Sequence, residues 1–90
     1  MKLTQKIINQ AMQAFGAGEF SRVISTLSSV YEQHPMAKMV YATALGKVAE
    51  FTTSFEIFES LQSDYPQNTD VAYNYGLLLK EAERFDDAQK

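Results

Sequence analysis

The chain has no cysteine and no tryptophan, one histidine and two prolines among its 90 residues. Without cysteine, neither a disulfide nor a thiolate metal site can support the fold, and no redox compartment is indicated. His34 stands beside a proline with no Cys or His co-ligand, and reads as a solvated loop residue. Long apolar runs are missing too. The longest worth noting, Leu77–Leu79, falls far short of the roughly 20 residues a membrane-spanning helix needs. Lys2 is followed by Thr4, Gln5 and Lys6 and not by an apolar stretch, so there is no signal-peptide pattern. A soluble, cytoplasmic protein that engages no membrane is expected.

Basic charge is scarce and dispersed. Eight Lys and Arg stand singly against eleven Asp and Glu, for a net charge of −3, whereas phosphate backbones are gripped by clustered cations. This argues against a nucleic-acid partner, and none is expected. The acids come late: residues 1–45 carry four bases and two acids, residues 46–90 four bases and nine acids. Solvated helix faces are the expected reading of that bias, the alternative being an acidic half that steers a basic partner. Apolar residues make up 46% of the chain, an ordinary share for a globular protein, and the length allows one domain at most.

What the chain does contain is a recurrence. GEFSRV at 18–23 returns as AEFTTS at 49–54 and as ERFDDA at 83–88, placing Phe20, Phe51 and Phe85 at separations of 31 and 34 residues. Pro35 and Pro66 each follow a phenylalanine by 15 residues. Nine residues before each Phe lies a small residue (Ala11, Ala42, Gly76), and three after it come Val23, Ser54 and Ala88. Small side chains at matching places are what closely crossing helices require. Each phenylalanine is expected at the bend into a second helix, wedged between the two helices of its unit and the next. Burial there is worth roughly 1.5–3 kcal/mol per ring.

Local patterns are helical throughout. Leu3, Ile7, Ala11 and Ala14 recur at intervals of four and three, as do Tyr41, Leu45 and Val48, then Val71, Tyr75 and Leu78. Second helices carry Val23, Leu27 and Val30, then Phe51, Phe55, Phe58 and Leu61. No stretch sustains a period of two, and an all-α fold is expected. Gly16 and Gly18 suit the first break, where glycine takes a left-handed conformation cheaply. His34-Pro35 and Tyr65-Pro66 are expected to close second helices, because a residue before proline is pushed out of the α region. Thr69 or Asp70 is the expected N-cap of the next helix.

Chemistry finds little to use. Gly16-x-Gly18 follows a helix, lacks a third glycine and a Lys-Ser/Thr pair, and is a helix–helix turn and not a phosphate loop. Glu56 and Glu59 share a helix face with no adjacent base. Asp86 and Asp87 are expected to begin a helix, where the dipole favours negative charge. Nothing here supports general acid–base work, so a non-catalytic protein with no cofactor and no metal is expected.

The joint register of small residue, Phe and Pro resembles the tetratricopeptide repeat family. The third unit, DVAYNYGLLLKEAERFDDAQK, is the nearest match, with Tyr73, Asn74, Tyr75, Gly76, Leu79, Phe85 and Ala88 at that family's spacing. The second carries Tyr41, Ala42, Leu45, Phe51, Ser54, Phe58, Leu61 and Pro66. The first carries Ile7, Ala11, Ala14, Gly18, Phe20, Val23, Leu27, Val30 and Pro35. Departures are the absence of a large aromatic at Ile7, Lys38 and Ala72, and a connection near Pro35 shorter by three residues than the 34-residue period.

The resemblance implies a right-handed superhelical array of antiparallel helix pairs, an α-solenoid of about two and a half repeats. The single domain would span 1–90, with repeats near 4–34, 35–68 and an incomplete 69–90. It implies a concave groove lined by first helices, with Ile8, Met12 and Phe15, then Met39, Thr43 and Lys47, then Tyr73, Asn74, Leu77 and Lys80 facing a partner. Ile8, Met12 and Phe15 form a second apolar stripe independently of the resemblance. The family's carboxylate grip is rejected, since its positions hold Ile8, Met12, Val40, Asp70 and Asn74. Methionines at 12 and 39, with Met36 divided between groove and gap-filling, suit an apolar peptide or amphipathic helix.

Two alternatives accompany this scaffold or adaptor role. One is self-assembly through an open C-terminal end left apolar by Leu78, Leu79 and Ala88. It follows from the expectation that Lys90 falls early in a sixth helix, so that a longer array or a second copy covers it. The other is a regulatory segment of a larger enzyme.

Overall fold

The computed structural model describes residues 2–88, with side chains as far as Phe85. Every regular element among them is helical: α1 (Gln5–Gly16), α2 (Phe20–Leu27), a 3-10 turn (Tyr31–Gln33), α3 (Pro35–Lys47), α4 (Phe51–Asp64) and α5 (Thr69–Ala88). Thr4 starts α1, its hydroxyl accepting the Ile7 amide at 3.3 Å, which satisfies one of the donors a helix start leaves orphaned.

Two helix ends are built alike. At the end of α1, Gly18 takes φ 76°, its amide donates to the Phe15 carbonyl and the Glu19 amide reaches back to Ala14 at 2.9 Å. At the end of α3, Ala49 takes φ 65°, its amide donates to Gly46 and the Glu50 amide reaches Leu45 at 2.9 Å. Both are Schellman closures. They fall on the first letters of GEFSRV and AEFTTS. A left-handed alanine costs on the order of 1–2 kcal/mol relative to glycine, so packing on both sides must hold that turn at Ala49.

The third recurrence behaves differently. ERFDDA was expected to open a second helix, yet α5 runs unbroken from Thr69 to Ala88. The residue matching Gly18 and Ala49 is Glu83, a good helix former in a run of Lys, Glu, Ala and Arg with no small residue to turn left-handed. Asp86 and Asp87 therefore lie inside a helix backbone and not at a helix start. The wedge expected of Phe85 is also corrected: the side chain is 39% exposed and meets the Phe51 ring edge-on at 5.4 Å. Phe20 and Phe51 are half-buried at the edges of the core. The Ala88 side chain and Lys90 lie outside the described residues.

Helix starts bring three further corrections. His34 and Pro35 open α3 instead of closing a helix. The His34 Nδ1 accepts the Met36 amide at 3.1 Å, and Pro35 sits in the first turn, where its missing N–H is no loss. His34 is thus an N-cap, although an exposed one, and α2 has already ended at Leu27. At α5 the cap is neither Thr69 nor Asp70 but Asn68, whose Oδ1 accepts the amides of Asp70 at 2.9 Å and Val71 at 3.1 Å.

Packing divides the helices into two layers. α1, α3 and α5 touch in succession, α2 lies against α1 and α3, and α4 lies against α3 and α5. The central α3 therefore enters both cores: Ala37 and Ala44 join Ala11, Ala14, Val23, Leu27 and Val30, while Ala42 and Leu45 join Ile57, Phe58, Leu61, Val71 and Leu78. Ala11 and Ala42 are buried as small residues at helix crossings should be, and the Ser54 hydroxyl donates to the Ala42 carbonyl at 2.6 Å. Gly76 departs from this, since a Cβ there would meet nothing. Gly46 is the glycine under close approach.

Candidate functional site

Two of the clefts along α1, α3 and α5 hold most of the expected groove residues; a third, at the start of α3 and α5, is lined by Met36, Met39, Asn68, Asp70 and Val71 among others. The first, a shallow cavity of about 40 Å³, is lined by Ile8, Ala11, Met12, Leu27, His34, Met36, Ala37 and Val40. Its floor is the core residue pair Ala11 and Leu27, and its rims are Met12, 45% exposed, and Met36, 54% exposed. A cavity of about 40 Å³ is far below the roughly 300–1,000 Å³ of small-molecule sites. It accommodates apolar side chains of a partner more readily than a whole cofactor. Apart from His34 the lining is hydrocarbon and thioether.

The second cleft, between α3 and α5, is lined by Thr43, Lys47, Phe58, Asn74, Leu77, Leu78 and Glu81. Its polar groups are turned back onto the protein. The Thr43 hydroxyl donates to the Met39 carbonyl at 2.8 Å, and the Asn74 amide donates to the Asp70 carbonyl at 2.8 Å and approaches the Met39 sulfur at 3.8 Å. Lys47 pairs with Glu81 across the two helices. The cation and the anion cancel within the cleft.

Of the expected groove residues, Ile8 and Met12 meet in the first cleft, and Thr43, Lys47, Asn74 and Leu77 meet in the second. Met39 lies between α3 and α5, partly buried against the second core. Phe15 takes no part in either cleft. Its ring meets Phe20 edge-on at 5.4 Å and packs on the first core. Tyr73 and Lys80 are exposed on α5 but line neither cleft. Val40, Met36, His34 and Glu81 complete the site. Met36 and Val40 are four residues apart on one face of α3, a spacing that marks a common face once the helix start at Pro35 is known.

Two tyrosines packed against the cores titrate late. Burial, then the Glu59 carboxylate, raises Tyr75 above its ordinary value of 10.0; burial, then Tyr31, stacked at 4.2 Å, raises Tyr41. The unfolded chain ionises these phenols first, so stability is complete below about pH 10 and declines as pH rises through the folded-state values. Tyr75→Phe is expected to flatten that decline. Urea melts of both proteins on either side of pH 10 measure it, and equal alkaline losses would remove Tyr75 from the account.

Among the described residues no cluster of His, Cys, Asp and Glu could hold a metal ion, and no helix is long and apolar enough to cross a membrane. Comparison with protein-family models, curated proteins and solved structures returned no match.

Proposed function

We propose that the chain is a non-catalytic interaction module of tetratricopeptide-repeat type, acting as a scaffold or adaptor, that holds an apolar peptide or amphipathic helix against α1, α3 and α5. The observation that carries this reading is the chemistry of the two clefts. One is apolar with methionine rims, and the other has its hydrogen-bonding groups and its one ion pair satisfied internally. A charged or strongly polar ligand would have to break Lys47–Glu81 to find a partner. An apolar side chain needs to break nothing, and methionine adapts to its shape.

The repeat reading draws support from the paired Schellman closures at Gly18 and Ala49 and from the succession of contacts along α1, α3 and α5. In this mode a bound helix presents anchors at i, i+3, i+4 and i+7.

The test is a titration with fluorescent amphipathic helical peptides, followed by methyl chemical shifts. Shifts should concentrate on Ile8, Met12, Val40 and Leu77. Met12→Glu combined with Leu77→Glu should weaken binding at least about tenfold, since each carboxylate must be desolvated in an apolar site, while helicity is retained. Undiminished binding by this variant, or shifts centred on α4, would refute the assignment.

A further inference from the structure

Met12 and Met36 are the most solvent-open sulfur groups among the described residues, and both rim the same apolar cleft. Met39, three residues from Met36, is partly buried between α3 and α5 with its sulfur against the Asn74 amide. The three thioethers therefore differ in access but not in chemistry. Thioether oxidation by peroxides follows access, and it turns a flexible apolar side chain into a polar one.

We propose that Met12 and Met36 form an oxidation-sensitive pair that switches the cleft between apolar and polar. This rests on the cleft being the binding surface. A hydroperoxide delivers one oxygen to each sulfur: the S–O bond forms as the O–O bond breaks, sulfur loses two electrons, and the peroxide is reduced to water or the corresponding alcohol after proton transfer. Sulfoxides at these two rims would border a cleft whose lining offers, His34 apart, no polar side chain. An apolar guest would have to strip water from both. Neither sulfur belongs to the buried core, so the helices stay packed and only the cleft changes.

The experiment exposes the chain to dilute hydrogen peroxide and follows three readouts: peptide mass mapping of Met12, Met36 and Met39, fluorescence of anilinonaphthalene sulfonate as the apolar probe, and circular dichroism. Met12 and Met36 should each gain one oxygen several-fold faster than Met39. Probe affinity should fall about tenfold while the helical signal is unchanged. Whatever affinity Met12→Leu combined with Met36→Leu has for the probe, peroxide treatment should leave that affinity unchanged. Equal oxidation at all three sites, or full probe affinity once Met12 and Met36 are sulfoxides, would overturn the switch. If the unoxidised chain leaves the probe dark, the binding-surface reading fails and the switch fails with it, while the peptide map still decides whether the pair is selectively oxidised.

Discussion

Phe58→Ala is expected to remove about 3–5 kcal/mol of stability, the usual cost of deleting a buried aromatic side chain and leaving its cavity behind. Phe58 is fully buried, lies in α4 and stacks on Tyr75 of α5 with ring centroids 5.6 Å apart and planes within 11°. A chain of this length has roughly 5–13 kcal/mol in total, so the loss is a large fraction. It should also be unevenly spread. Among the described residues α5 packs chiefly on α3 and α4, and Phe58 forms the floor beneath the second cleft. Hydrogen exchange should therefore show α5 losing protection before α1 and α2, which belong to the other core. A loss below about 1 kcal/mol in a urea melt, with α5 amides as protected as before, would mean the stacked pair is not what fastens α5.

The uneven dependence on α4 and α5 also explains which parts of the structure could be read from residue order. α1 and α2 are amphipathic in the ordinary way, so Leu3, Ile7, Ala11, Ala14, Val23, Leu27 and Val30 announced a core that the structure contains. α3 packs on neighbours in both layers, and its apolar residues point in all directions. A helix without a polar side gives no periodic signal, which is why Met36 stayed divided between groove and gap-filling and Val40 and His34 were not placed at a cleft. Phe15 illustrates the reverse error. Its position on the Ile8/Met12 stripe was correct, but the turn at Gly18 brings Phe20 over it, and a ring–ring contact outweighs exposure in a groove. The straightness of α5 was hidden because the recurrence of ERF suggested a bend, while the decision lay in a single backbone angle. Gly18 and Ala49 can adopt it, and Glu83 has stronger reasons to stay helical.

Gly46→Val is expected to cost about 3 kcal/mol, at the upper end of overpacking penalties. Gly46 was not singled out by the recurrence, which points to Ala42 and Gly76 instead. Yet it is the glycine whose missing Cβ matters: an added carbon would overlap the Leu78 Cδ1 of α5, with the Ser54 hydroxyl at an ordinary 3.6 Å. Leu78 is itself buried, so relieving the overlap must displace a side chain of the second core. The clash should push α5 away from α3, separate Lys47 from Glu81 and open the second cleft. A double-mutant cycle isolates the cause. In a Leu78→Ala background the obstructing methyl is gone, so Gly46→Val should lose most of its cost. Gly46→Ala in that background should become stabilising by up to about 1 kcal/mol, through helix propensity alone. Coupling between the two sites of at least about 1 kcal/mol follows. If valine at position 46 costs the same with and without Leu78, the close approach of α3 and α5 is not the constraint that glycine serves, and the second cleft loses the contact that fixes its width.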